Sequence, residues 1–222
     1  MTLFELIYRV LRRLKITISN IFDRVVTYID LKGNGVKFKD FKTNGRPFIR
    51  RSKNGVFEID SGFKMNNGLK GNPIGRPQPC TFIINNNAYL KIGKNVGISS
   101  TAIVCHIKTE IGDNVKIGGG TCIYDTDFHV LDSKKRSNSL LDRIEKIDKP
   151  ICIKDNVFIG AHSTILKGVT IGENSIIGAC SVVSKNIPSD QIWAGNPIKF
   201  IKKLNSNNGK YCGITNLPQQ KR

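Results

Sequence analysis

The sequence predicts a mainly β protein in which short strands wind into stacked coils, a parallel β-helix. Two observations support this. From Ile153 to Pro188 the chain repeats every six residues, and each hexad begins with Ile or Val. A small or branched residue recurs four positions after each of them, as expected when every side of a three-sided coil points one large and one small residue inward. Three hexads then make one coil, and coils stack about 4.8 Å apart.

The same period is visible further upstream, in a less regular form. Ile92, Ile98 and Val104 take the large inward position, Ala102 takes the small one, and the pattern then slips by one residue. Residues 31–91 are rich in Gly and Asn and contain short alternating segments, which predicts irregular early coils. The β-helical domain is therefore expected to span residues 31–204.

Residues 1–30 predict a basic amphipathic helix, because apolar residues recur at helical spacing with Arg and Lys between them. Two partners suit such a helix. It could pack on the end of the β-helix or on a neighbouring subunit, where a solenoid needs a cap. Alternatively, its apolar face could contact an anionic membrane surface.

The repeat is interrupted between Tyr124 and Pro150 by a polar, charged segment that cannot continue the apolar stack. Residues 125–150 are therefore expected to leave the coil as a loop, the kind of segment that often carries chemistry. After Pro188 the sequence predicts a last strand and a short C-terminal helix, and residues 205–222 a flexible polar tail.

Composition limits the functional classes. A net charge of +18 favours anionic partners, but aromatic residues are not interleaved with the basic clusters, so nucleic acid is not expected. The six cysteines form no CxxC pair, which predicts a reducing, cytoplasmic setting with Cys122 and Cys180 as small core residues. Charges interrupt the apolar N-terminal run, so neither a signal peptide nor a transmembrane helix is expected.

Three stretches together carry a resemblance to a known family. They are the hexads themselves, the segment YDTDFHVLD, and the closing run GACSVVSKNIP followed by WAGNPIK. Over roughly residues 56–204 the chain resembles the hexapeptide-repeat acyltransferases, in particular the branch that O-acetylates sugars and surface polysaccharides. The resemblance implies a left-handed parallel β-helix, a homotrimer, and acetyl-CoA bound in a groove between neighbouring subunits. It implies no catalytic metal, and an acceptor that is a sugar, a nucleotide sugar or a lipid-linked glycan.

His129 is the candidate catalytic base. Acyl transfer from a thioester to a hydroxyl needs a group that titrates near neutral pH to take the hydroxyl proton, and histidine suits that task. The matching histidine has this role in the family. Asp125 and Asp127 flank it, and either could orient the imidazole or accept a sugar hydroxyl; as loop-start residues they could equally bond the backbone.

The resemblance also implies residues that bind the donor and the acceptor. The following positions match the donor groove: Phe158, Gly160, Ala161, Gly178, Ala179, Ser184, Lys185, Lys199 and Lys202. Phe158 stands where many relatives have Trp. On the acceptor side, Ser99 and Ser100 lie at a coil corner, and Arg143 lies in the loop, where it could contact an acidic or diphosphate-linked glycan.

Alternatives remain open at this stage. The same base and groove would serve N-acylation of an amino-sugar nucleotide or acetylation of an antibiotic. A γ-type carbonic anhydrase shares the coils, but here His106, His129 and His162 are all at least 23 positions apart, which does not fit its zinc-ligand spacing. A non-catalytic β-helical binding protein would have no need of a histidine loop.

Overall fold

The computed structural model describes residues 1–75 and 77–204. In this part of the chain the fold is the predicted left-handed parallel β-helix. Each coil gives one strand to each of three sheets. The first three coils contain β1 (Lys37–Phe38), β2 (Phe41–Asn44), β3 (Phe48–Arg51), β4 (Val56–Ile59), β5 (Phe63–Asn66), β6 (Thr81–Ile84), β7 (Tyr89–Ile92), β8 (Gly97–Ser99) and β9 (Ala102–Cys105). The next three contain β10 (Lys108–Ile111), β11 (Lys116–Ile117), β12 (Cys122–Tyr124), β13 (Ile151–Ile153), β14 (Phe158–Ile159), β15 (Thr164–Ile165), β16 (Thr170–Ile171), β17 (Ile176–Ile177) and β18 (Val182–Val183).

The large hexad residues stack in register along each sheet. In the first sheet, Ile92 pairs with Ile111, which pairs with Ile153 and then Ile171. All four are buried, so each coil covers the apolar layer of the next. The early coils are more regular than predicted, because β1 to β6 already pair in parallel with full register.

One predicted register is wrong by a single residue. The inward side chain of β9 is Ile103, which is fully buried and pairs with Ile123, whereas Val104 pairs with Tyr124. The small inward position is likewise Thr101 and not Ala102. The corner before β9 is one residue shorter than the later corners, and Ser100 at a positive φ of 45° makes this tighter turn.

The Asn residues of the repeat build another corner. Asn95, Asn114, Asn156 and Asn174 have φ between 56° and 60°, a conformation that Asn tolerates better than most residues. Their amides donate along the stack, each to the oxygen of the next coil, at 3.0 to 3.2 Å. Asn174 ends the ladder on Asp190 at 2.8 Å. The polar residues of the hexad thus fix the coil corners while the aliphatic residues fill the core.

The predicted N-terminal helix is confirmed as α1 (Leu3–Gly33). It begins with a capping box, in which the Thr2 hydroxyl accepts from the N–H of Glu5 and the Glu5 carboxylate accepts from the N–H of Thr2. It ends at Asn34. Its last turns cover the first coil, where Leu31 is fully buried in the core.

Two segments leave the coils. The first follows β5 and contains α2 (Gly68–Gly71). The second is the predicted loop, which leaves after β12, returns at β13, and contains α3 (Ser133–Arg136) and α4 (Ser139–Glu145). Asp132 and Asn138 cap these two short helices with their side chains, as their residue types favour. The loop therefore has its own local structure.

The predicted short C-terminal helix is wrong. After β19 (Gln191–Ala194) the chain turns and forms β20 (Lys199–Lys203), antiparallel to β19. β19 would otherwise be an exposed edge of the last coil, and β20 satisfies its backbone groups. The predicted tail, residues 205–222, lies outside the described residues. Cys180 is also not a core residue, since it is exposed at a corner with φ of 57°, and Cys122 is half-buried.

Candidate active site

Asp125 forms the base of the extruded loop. Its side chain is fully buried, and its carboxylate accepts hydrogen bonds from the backbone N–H groups of His106, Ile107 and Lys108 at 2.6, 2.9 and 2.9 Å. These donors belong to the turn between β9 and β10 on the preceding coil. The structure therefore uses Asp125 to anchor the loop to the β-helix and not to orient His129.

His129 projects from the loop and contacts an aspartate that the sequence pattern did not indicate. Its Nδ1 lies 2.7 Å from Oδ2 of Asp142 on α4, and Oδ1 of the same carboxylate accepts from the N–H of Val130 at 2.8 Å. The His129 side chain is 67% exposed. With the Nδ1 proton directed at the carboxylate, the other ring nitrogen, Nε2, is left as an acceptor that faces outward.

The pKa of Asp142 is consistent with a hydrogen bond between this carboxylate and His129. The pKa of the Asp142 carboxyl is lowered from its ordinary value, first by the hydrogen bond to His129 and next by the N–H of Val130. An ionised carboxylate beside Nδ1 fixes the orientation of the ring and holds its proton on Nδ1. The pair lies 13 positions apart in sequence, and only the helix-capping pattern that begins at Asn138 could have indicated that this segment folds back.

The residue before His129 holds an uncommon backbone conformation. Phe128 has a φ of 64°, and its N–H donates to the Thr126 hydroxyl at 3.1 Å. Its ring packs edge-on against Tyr124 and His106, with ring centroids 5.3 and 5.9 Å apart. A left-handed conformation at a bulky residue costs free energy that surrounding contacts must offset. These contacts fix the direction in which His129 leaves the loop.

Asp127 has a different partner. Its Oδ1 forms an ion pair with the Lys167 ammonium at 2.6 Å, beyond β15, and its N–H donates to the Ile147 carbonyl at 3.1 Å. Its Oδ2 is buried and has no hydrogen-bond partner among the described residues. Asp127 thus ties the two ends of the loop, near Asp127 and Ile147, to the next coil. We call this place the neck of the loop. Asp127 does not contact His129.

The predicted donor positions lie at another corner, between the β14 and β15 sheets. There the backbones of adjacent coils approach closely: a Cβ on Gly160 would come 2.4 Å from the Ala179 nitrogen, and a Cβ on Gly178 would come 2.7 Å from Cβ of Ala194. Ala179 is exposed and Ala161 half-exposed, and Phe158 presents its ring to solvent on β14. Small residues therefore occupy this corner in successive coils and form a row along the axis of the β-helix.

The predicted lysines lie at the C-terminal end of this row. The Lys185 ammonium sits 5.2 Å from the centre of the Trp193 ring, and Trp193 packs on Phe200. Lys199 and Lys202 are exposed on β20, where they pair with Ala194 and Ile192 of β19. Ser184 is exposed beside Lys185. One cation therefore lies over an aromatic ring at this end of the β-helix, and two more are exposed on the neighbouring strand β20.

The predicted acceptor residues are not brought together. Ser100 is fully buried, and its hydroxyl accepts from the Asn72 amide at 3.3 Å, beneath the segment that contains α2. The Ser99 hydroxyl accepts from Asn66 at 3.1 Å. Arg143 is exposed on α4, one residue after Asp142. Only Arg143 shares the surface of His129.

A metal centre finds no support in this geometry. Among residues 1–75 and 77–204, no group of three His, Cys, Asp or Glu side chains is placed to hold a metal ion. His129 is engaged by Asp142, while His106 packs on Phe128 and His162 lies at the donor corner with φ of 62°.

Comparison with known proteins matches the repeat to a family. The bacterial transferase hexapeptide, described as six repeats, matches residues 153–185. Over these residues the chain is similar to the bacterial hexapeptide-repeat transferases. The match covers the coils that contain the predicted donor positions Gly160, Ala161, Gly178 and Ala179.

Relatives extend the likeness beyond the repeats. The chain is 36% identical over 130 residues to the galactoside O-acetyltransferase of Escherichia coli, which covers 55% of this chain and 61% of that protein. It is 38% identical over 134 residues to a Saccharomyces cerevisiae protein assigned as an acetyltransferase, with 56% and 65% covered. The chain therefore spans less than two thirds of the length of these relatives.

A solved structure supports the architecture. The chain superposes on a mutant of AntD, an N-acyltransferase from Bacillus cereus in complex with dTDP and coenzyme A, with a TM-score of 0.56 and 18% identity. The superposition covers 79% of this chain and 89% of that one. At this identity the likeness concerns the fold alone.

Proposed function

We propose that the protein is an acetyl-CoA-dependent O-acetyltransferase that acts in the cytoplasm on a sugar hydroxyl during surface polysaccharide biosynthesis. The observation that carries the proposal is the His129–Asp142 pair on an exposed loop, with Nδ1 to Oδ2 at 2.7 Å. The similarity to a galactoside O-acetyltransferase supports oxygen as the acceptor atom.

The pair suits direct transfer. Nε2 of His129 takes the proton of the acceptor hydroxyl as its oxygen attacks the thioester carbonyl carbon, and a new C–O bond forms. The tetrahedral intermediate then collapses, the C–S bond breaks, and the imidazolium returns the proton to the departing sulfur. Asp142 stabilises the imidazolium and holds the ring in the required tautomer. No covalent enzyme intermediate is needed.

The donor would occupy the corner of small residues. Extended pantetheine needs close approach to the backbone, which Gly160, Ala161, Gly178 and Ala179 allow. The phosphates of CoA would meet the cations at the C-terminal end as point charges.

We infer further that the complete site forms between neighbouring chains of a homotrimer. The His129 loop leaves the corner after β12, whereas the donor positions lie at the corner between β14 and β15. These are different edges of one three-sided coil stack. A threefold arrangement places an edge of one chain against another edge of its neighbour, which would unite base and donor.

The direct test is release of free CoA thiol from acetyl-CoA with a panel of sugars, nucleotide sugars and lipid-linked glycans. We expect turnover with one acceptor class, and a loss of at least 100-fold in His129→Ala. Leu131→Ala, on the same loop, is the matched control and should keep wild-type turnover. Wild-type turnover in His129→Ala with the best acceptor would refute the mechanism, and preferred transfer to an amino-sugar nucleotide would establish N-acylation instead.

A complementation experiment tests the shared site. His129→Ala and Ala161→Trp, which fills the donor corner, should each be inactive alone. Co-expressed chains that mix at random should recover about a quarter of wild-type activity, because that share of interfaces combines an intact loop with an intact corner. If mixtures stay inactive while mixed trimers are present, base and donor lie on one chain.

A further inference from the structure

The N-terminal helix α1 contacts the β-helix through one face near its C-terminal end. Its only buried residues are Asp23, Thr27 and Leu31, all in the last third of the helix. Asp23 lies between two cations, forming an ion pair with Lys70 of α2 and lying 3.6 Å from Arg46. Since these contacts hold one side of the helix, the opposite side determines what else α1 can bind.

The opposite side is mainly apolar, and Thr17 and Lys32 are the polar residues inside it. At 100° per residue, Ile7, Leu14 and Val25 lie roughly 140–200° from Asp23 and Thr27 around the helix axis. The exposed apolar residues of this sector extend from the first turn to the last, and they are Leu3, Phe4, Leu6, Ile7, Val10, Leu11, Leu14, Ile18, Ile21, Phe22, Val25, Tyr28 and Ile29. Tyr28 packs edge-on against Phe38 and Arg46 lies over the Phe22 ring, but every apolar residue of the sector stays at least 45% exposed.

The width of this sector favours a flat partner. These residues span roughly 160° around the axis, which is wider than the narrow stripe along which two helices of a coiled coil meet. Phe4 and Phe22 lie near one boundary of the sector, and Leu6 lies at the other. A planar apolar boundary can accommodate the whole sector at once.

The charges at the borders of the sector select the kind of surface. Lys15 lies beside one border, and Arg13 and Arg24 lie at the other. Through Phe22 the helix carries four Arg or Lys residues against Glu5 alone, and Glu5 is used in the capping box. Self-association would bring like charges on identical helices together, whereas anionic headgroups would meet both basic borders.

We propose that α1 lies in the plane of an anionic lipid membrane, with its apolar sector in the boundary between headgroups and acyl chains. No helix in the described part of the chain is long and apolar enough to cross a membrane. The helix therefore binds at the membrane surface, and the β-helix lies on the side of α1 that faces away from the membrane. The proposal does not depend on the acyl-transfer reaction.

Two isoleucines two positions apart give a matched pair for the test. Ile18 is 66% exposed within the apolar sector, whereas Ile16 is 44% exposed on the opposite side. Ile18→Glu and Ile16→Glu change the same residue type by the same charge on the same helix. Only the first should disturb a bound membrane, while thermal melting followed by circular dichroism should show both variants folded.

The experiment is flotation of the full-length protein with vesicles of phosphatidylcholine alone or mixed with phosphatidylglycerol. We expect the wild type and Ile16→Glu to float with the anionic vesicles, at least tenfold less with the neutral ones, and to be released by high salt. Ile18→Glu should lose at least tenfold in binding. Wild-type protein that floats with neither vesicle, or equal loss in both variants, overturns the proposal. A change in oligomeric mass in Ile18→Glu, without flotation of the wild type, would assign the apolar sector to contact between copies of this chain.

Discussion

The coils from Ile153 to Pro188 and the loop over residues 125–150 adjoin in sequence but are held together in different ways. In the coils each side chain repeats the role of its equivalent six or eighteen residues away, so inward Ile and Val residues stack and Asn residues form a ladder. From 131 to 150 the loop contains no buried residue, and single polar pairs hold it. The stability of the coils is thus shared among many similar apolar contacts, whereas the stability of the loop depends on a few individual polar contacts.

Removal of a stacked core residue should have the largest effect. Ile171 is fully buried between Ile153 and Ile187 on adjacent coils. Ile171→Ala should lower the free energy of unfolding by about 2–5 kcal/mol, through lost burial and the cavity left behind. The matched loop variant, Ile144→Ala, truncates a side chain that is 65% exposed and should stay within about 0.5 kcal/mol. Urea denaturation of both variants measures the contrast, and equal losses would show that the loop is packed as tightly as the coils.

The next largest effect should come from the anchor of the loop. Asp125→Ala leaves the N–H groups of His106, Ile107 and Lys108 without their acceptor at a part-buried site, which should cost roughly 2–3 kcal/mol of unfolding free energy. The matched change Asp142→Ala removes a carboxylate at the loop surface and should cost far less stability. Thermal melting of the two variants tests this difference. If Asp125→Ala melts like the wild type, the loop does not depend on this anchor.

For catalysis we expect the opposite order, in which Asp142 matters more than Asp125. Asp142→Asn keeps the shape of the side chain but removes the charge that favours the imidazolium, so kcat/KM should fall roughly 10- to 100-fold. The loss should appear in kcat and not in KM, since Asp142 acts on the imidazolium that forms only during the reaction. Glu145→Gln, on the same helix α4, is the control and should leave both constants unchanged. A wild-type kcat in Asp142→Asn would show that Asp142 does not act through His129.

These contrasts explain what the sequence could predict. The coils follow from a local period, because each Ile or Val has the same inward environment, and so the β-helix and its interruption were predictable. The place of His129 on the extruded loop was predictable from its motif, YDTDFH, and its role as base stays a prediction. The partner of His129 was not predictable, since nothing in the sequence distinguishes Asp142 from Asp125 or Asp127. The difference arises only when α4 folds back towards His129 and the N–H groups of the turn between β9 and β10 bind Asp125.

The register error at β9 and the missing C-terminal helix both depend on contacts that the local sequence does not record. Val104 was predicted inward in place of Ile103 because a corner can lose one residue without any change in composition. The last segment was predicted to contain a short helix, but it forms β20. There the unpaired edge of β19 outweighs the local preference and makes the segment a strand.

The smallest expected effect is a pH dependence at the neck of the loop. Burial lowers the pKa of His106 below its ordinary value, with Lys146 acting in the same direction and Asp148 and Asp125 opposing them. The folded protein therefore binds a proton at His106 less readily than the unfolded chain, whose histidine titrates near 6.5. This contribution to stability is fully present above about pH 6.5 and is lost as the pH falls through the lowered pKa. The Tm of the wild type should consequently drop more between about pH 7 and 5 than the Tm of His106→Gln, which cannot take up the proton. Equal drops in both proteins would show that the buried ring does not resist protonation, and that the loop neck is as open to solvent as the loop surface.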